Sequence, residues 1–137
     1  MWWVFALLSA FFAALTAIFA KVGIKGVDTD LATAIRTVVI LILAWCIAFY
    51  RGGTTSIGSL TKYNLLFLTL SGIATGLSWI FYFKALQLGK VSQVAPIDKL
   101  SVAFAIIFSI VFLGESINLK TMIGASCIVI GSIIIIL

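Results

Sequence analysis

Five long apolar runs, separated by short polar turns, leave few folds open to this 137-residue sequence. Each run is near the ~20 residues that a helix needs to cross a hydrocarbon core about 30 Å thick, whereas a spanning strand needs only about ten. Inside lipid every backbone N–H and C=O must be satisfied by the protein itself, so only helices and closed barrels can span, and the run length selects helices. The hydropathy pattern predicts spans at about 2–20, 31–50, 64–86, 92–113 and 119–137. The turns between them are short, so successive helices pack as antiparallel neighbours. Charged residues are 9% of the chain, too few to cover a water-soluble fold, where they are roughly 25%. The expected fold class is therefore an all-α integral membrane protein, with residues 1–137 forming one five-helix membrane domain.

The same composition excludes several kinds of chemistry. The first run lacks a basic segment before it and four similar runs follow, so it reads as a span and not a signal peptide. Cys46 and Cys127 fall inside apolar runs, where they behave as small hydrophobes. The chain has no His and no cysteine cluster, so neither a metal site nor a cofactor is expected. It has four acids, two of them in one turn, which leaves almost nothing for acid–base catalysis, and an enzyme is not expected. The net charge of +5 comes mostly from Lys and Arg near the span ends. That placement indicates topology and contact with lipid headgroups, not nucleic-acid binding.

Aromatic residues mark several span ends, with Trp2, Trp3, Tyr50 and Tyr63 where an interfacial belt lies. Small residues recur at helical spacing within the spans: Ala6, Ala10, Ala13 and Ala17 in the first, Gly72 and Gly76 in the third, Gly124 and Gly131 in the fifth. In lipid such faces let helices approach closely, and helix packing is the plainer reading of them. The third span carries a further pattern. Ser71, Thr75, Ser78 and Tyr82 follow at steps of four, three and four, which puts them on one helix face, and Trp79 borders it. Two readings stand: hydrogen bonds to a neighbouring helix, or one wall of a polar cavity.

The stretch "QVAPIDKLSVAF", residues 93–104, holds the only proline and, two residues on, adjacent opposite charges. If the helix starts at Pro96, the missing N–H costs nothing, Asp98 sits at the positive end of the helix dipole, and Lys99 snorkels outward. If it starts near Ser92 and is kinked or broken at Pro96, Lys99 lies about 10 Å inside the span. Charges at that depth face a bundle interior or a wet cavity, and broken helices beside binding sites recur in transporters. The second placement is favoured, with Lys99 facing a permeation pathway and Asp98 helping to hold the broken turn. For Arg36, about one and a half turns into the second span, snorkelling to headgroups is favoured. Glu115 follows a helix-ending glycine and reads as a solvated turn carboxylate.

With these residues in view, the stretch from "YFKALQLGKVSQVAPIDKLSVAF" through "LGE" at 113–115 to the closing "GASCIVIGSIII" resembles the second half of an EamA domain of the drug/metabolite transporter superfamily. The first half, "LSAFFAALTAIFAKVGIKGVDTDLATAIRT", is similar in the order of its small residues, Lys21 and Arg36. The resemblance implies a carrier or exporter of small metabolites in the plasma membrane. It further implies that helices one, three and four line a central cavity. Carried onto this chain, that adds Ser9 and Ala13 to Ser71, Thr75, Ser78, Trp79, Tyr82, Pro96, Asp98 and Lys99 as candidates for the substrate pathway. Arg36 and Glu115 remain as structural charges. Most members of that family join two such units in inverted orientation, and this chain holds one.

An odd number of spans places the two termini on opposite sides of the membrane, so two joined units invert automatically and two separate ones pair only by inserting both ways. The loop charges permit this, with Arg51, Lys62 and Lys120 on the N-terminal side against Lys21, Lys25, Lys84 and Lys90 on the other. Counting Arg36 and Lys99 makes it three against six and favours the N-terminus outside. The expected partners are membrane lipid, a small-molecule solute and a second, inverted copy. A small structural or regulatory subunit of a larger membrane assembly is the alternative, though such a scaffold needs neither the hydroxyl stripe nor the charges near Pro96. A four-helix multidrug exporter carries an essential acid in its first span, and here that span has no charge.

Overall fold

The apolar runs become helices throughout the computed structural model, which describes residues 1–137. The helices are α1 Trp2–Gly23, α2 Thr29–Tyr50, α3 Lys62–Leu88, α4 Val91–Asp98, α5 Ser101–Leu113 and α6 Leu119–Ile136. A short 3-10 helix, Gly53–Ser59, lies between α2 and α3, and there are no strands. Five segments are long and apolar enough to cross a bilayer, the fourth being Val91–Leu113, made of α4 and α5. The chain is a multi-pass membrane protein of all-helical class.

Local chemistry sets the ends of these helices. Asp28 caps α2, its carboxylate accepting from the N–H groups of Asp30 and Leu31 at 3.0 Å each, which satisfies donors that a helix start otherwise leaves orphaned. Asn118 does the same for α6, accepting from Thr121 N–H at 2.8 Å. Helix α5 ends at Gly114, whose φ of +66° is strained for any residue with a Cβ. That left-handed step folds the Gly114 N–H onto the Ile110 carbonyl and the Glu115 N–H onto that of Ser109. Glu115 therefore closes the helix through its backbone while its side chain is exposed.

The chain divides into two compact parts, Phe19–Gln87 and the combination of Met1–Ile18 with Leu88–Leu137. In the first part, Phe83 and Leu86 of α3 are buried at 2% and 0% exposure, together with Ile24, Thr29 and Thr33. The Lys21 ammonium donates to the Leu86 carbonyl near the C-terminus of α3, where a cation also opposes the negative end of the helix dipole. Gln87 donates from Nε2 to the Val27 carbonyl at 3.1 Å. In the second part, Val94 of α4 and Ser132 of α6 are buried.

The fourth span differs from an unbroken helix kinked at its proline. Helix α4 starts at Val91, so Pro96 lies inside it and not in its opening turn. The break comes three residues later, at Lys99 and Leu100. Pro96 has no N–H to give the carbonyl one turn back, at Ser92. The turn after it tightens: Lys99 N–H donates to the Pro96 carbonyl at 3.1 Å and Leu100 N–H to that of Ile97 at 2.9 Å. Val102 and Ala103 continue this three-residue pattern onto Lys99 and Leu100 before α5 settles into regular helix.

Candidate functional site

The Pro96 carbonyl, which in a regular helix receives the N–H four residues on, receives a second donor from another helix. Ser132 of α6 shares its hydroxyl between Pro96, at 2.9 Å, and its own Ile128 carbonyl, at 2.8 Å. Ser132 is 4% exposed, so in this dry setting the hydroxyl holds the broken span against α6. Sequence reasoning missed this residue and assigned the holding role to Asp98. The only signal for it was the small-residue pair Gly131–Ser132 in an otherwise β-branched run.

Asp98 instead pairs with its neighbour, Lys99 Nζ lying 3.4 Å from its carboxylate, with side chains 37% and 56% exposed respectively. A pair this open is worth at most about 1 kcal/mol in water. Its significance is positional, since both charges sit at the break, about 12 Å along the span from Val91 by the helical rise. Ser132→Ala is expected to cost about 1 kcal/mol of stability and to speed amide hydrogen exchange at Lys99 and Leu100, read by exchange mass spectrometry in micelles. Unchanged exchange at those two residues would show that the hydroxyl does not hold the turn.

The second constellation lies within Phe19–Gln87. Arg36, seven residues into α2, places its guanidinium carbon over two rings of α3, 4.5 Å from the centre of Trp79 and 4.9 Å from that of Phe83. Trp79 and Phe83 are four residues apart and so present one face. The side chain packs against these rings, a finding that replaces the expectation of snorkelling to headgroups. Each desolvated ring contributes about 0.5–2 kcal/mol to holding the cation. One guanidinium nitrogen, Nη1, is buried and has no hydrogen-bond partner.

The hydroxyl stripe of α3 behaves unevenly. Thr75 donates to the Ser71 carbonyl of its own helix at 2.8 Å, leaving only its oxygen lone pairs to offer outward. Ser71 and Ser78 are exposed, while Trp79 and Tyr82 are half-buried, Tyr82 against the Phe83 ring. On α1, Ser9 and Ala13 are exposed. A Cβ placed on Gly72, Gly76, Gly124 or Gly131 would meet nothing within 4 Å. Within its own compact part no atom packs closely on any of these four glycines, whereas Ala17 of the small-residue face on α1 is buried. The described residues contain no cluster of metal-ligating side chains.

Comparison with known proteins agrees with this architecture. Residues 1–137 match the EamA-like transporter family. Among curated proteins, the chain is 48% identical over 134 residues to an "Uncharacterized transporter in cobO 3'region" from Sinorhizobium sp., an alignment covering 98% of this chain and 95% of that one. That relative is therefore also about the length of one five-helix unit. No solved structure matches the chain. Five spans, a proline-broken fourth span, and a family match along its whole length lead to one conclusion: the chain belongs to the EamA-like transporter family.

Proposed function

We propose that the protein is a secondary transporter of small metabolites in the plasma membrane, acting by alternating access as a pair of copies in opposite orientation. The observation that carries this reading is the break at Lys99 and Leu100, which opens an ion pair inside a membrane span. Charge at such depth is costly against acyl chains and is stable beside water or solute. A discontinuous helix also presents backbone groups to whatever lies next to it. The residues assigned to the pathway in this proposal are Ser71, Thr75, Ser78, Trp79 and Tyr82 of α3, Ser9 and Ala13 of α1, and Pro96, Asp98 and Lys99 of the fourth span.

Gly72, Gly76, Gly124 and Gly131 are compatible with pairing, because small residues whose Cβ position is open within their own part of the chain admit a close helix neighbour. The near-balanced loop charges support insertion both ways. A relative of one-unit length, itself named a transporter, is consistent with function as separate units.

The test is solute flux into liposomes holding the purified protein, screened over amino acids, organic acids and cationic drugs. Lys99→Gln is expected to lower that flux at least ~10-fold, the order of effect of one lost charged contact. A cysteine introduced by Lys99→Cys is expected to react with water-borne thiol reagents. Full protection of that cysteine from both sides would place Lys99 outside any aqueous path and defeat the reading. Reporter fusions at each terminus should show both orientations, and a single fixed orientation would remove the inverted pair.

A further inference from the structure

The structure places an arginine within a membrane span on an aromatic platform and supplies no oxygen for it to bind. Arg36 lies about 10 Å from the start of α2 by the helical rise. The rings of Trp79 and Phe83 offset part of its charge but provide no carboxylate or carbonyl acceptor for its N–H groups. The acids of the same compact part, Asp28 and Asp30, form no ion pair with it. Asp28 is occupied as the cap of α2, and Asp30 lies six residues before Arg36, on a different helix face. Buried Nη1 therefore has no acceptor within the chain, and a buried donor of this kind is met by water, an ion or a ligand oxygen.

We infer that Arg36, braced by Trp79 and Phe83, is an oxyanion-binding site, and that the solute carries a carboxylate or phosphate group. This rests on the transport reading and names its substrate class. Ring contacts suit anion capture because they hold a delocalised cation in place. Little side-chain entropy is then lost when an anion arrives, while the planar fork of donors remains for two oxygens. Tyr82, whose ring centre lies 6.3 Å from that of Phe83, adds a phenol beside the platform. The same chemistry would recognise a phospholipid headgroup, so the test separates the two sources.

The experiment uses the full chain in detergent micelles, with Trp2→Phe, Trp3→Phe and Trp45→Phe leaving Trp79 as the sole indole. Sodium succinate and inorganic phosphate, added at pH 7 and constant ionic strength, are expected to change Trp79 emission saturably, and sodium chloride is not. Arg36→Lys, which keeps the charge and loses the fork, should weaken the apparent affinity at least ~10-fold. Arg36→Gln should abolish the response.

Emission indifferent to both oxyanions, or equally responsive to chloride, overturns the proposal. So does an Arg36→Gln chain of parental helicity that responds as the parent does. A response to phosphatidylglycerol but to neither free anion overturns the solute assignment in favour of a headgroup. Where Arg36→Gln does not fold, the parent titration and Arg36→Lys decide the matter. A saturable Trp79 response with no solute flux in liposomes leaves the site standing and removes the transport reading. Flux without any anion response does the reverse.

Discussion

Phe83→Ala is expected to be the most damaging single change within residues 19–87, lowering stability by about 3 kcal/mol. Large aromatic truncations in protein cores cost about 3–5 kcal/mol, and the low end applies here because apolar side chains gain little by leaving lipid for protein. What Phe83 supplies instead is contact. It is 2% exposed, it neighbours the fully buried Leu86, and it carries half of the platform under the Arg36 guanidinium. Phe81, two residues away on the same helix and 70% exposed, provides the control. Phe81→Ala should change stability by no more than about 0.5 kcal/mol. Equilibrium unfolding in mixed micelles, followed by circular dichroism, distinguishes the two. Equal costs would mean that the packing around Phe83 does not set the stability of this part of the chain.

Pro96→Ala should move stability and transport in opposite directions. Alanine restores an N–H facing the Ser92 carbonyl and removes the ring clash with the preceding turn, a defect worth about 3 kcal/mol in a helix interior. The break at Lys99 and Leu100 already relieves part of that strain. A gain of about 1–2 kcal/mol is therefore expected, the unrelieved part of the proline penalty. Straightening the span also returns the Pro96 carbonyl to Leu100 N–H, competes with the Ser132 hydroxyl, and closes the gap that presents Lys99. Flux in liposomes should fall at least ~10-fold, as for loss of a charged contact. A variant that is both more stable and fully active would separate the broken helix from the transport cycle.

The membrane character of the chain and its five spans were legible because hydropathy is local: a run of about 20 apolar residues declares itself without reference to any other run. The capping roles of Asp28 and Asn118 were not legible, because they depend on backbone angles that a string of residues does not report. Pro96 signalled a disturbed helix but not its location. The missing N–H acts on the turn before the proline, while the break falls after it, where the tightened bonds of Lys99 and Leu100 meet a hydroxyl from 36 residues downstream.

The site shows the same division. The charge of Arg36 and the aromatic Trp79 were each evident, and nothing local linked them, because their pairing arises from packing of α2 against α3 across 43 positions. The expectation of snorkelling followed from treating the side chain against lipid alone. Phe83, the second ring, read as one apolar residue among many. Side-chain hydroxyls posed a related problem, since Thr75 spends its donor on its own helix and only geometry distinguishes that from an outward-facing group.

The scarcity of buried residues in the spans has one further consequence. Few residues of the spans are buried: Ala17 in α1, Thr29 and Thr33 in α2, Phe83 and Leu86 in α3, Val94 in α4 and Ser132 in α6. Any lipid or protein that binds these exposed faces only in the folded chain stabilises it in proportion to the logarithm of its concentration, by mass action. Dilution with detergent removes that company and loosens the bundle, whereas concentrated, lipid-rich preparations preserve it.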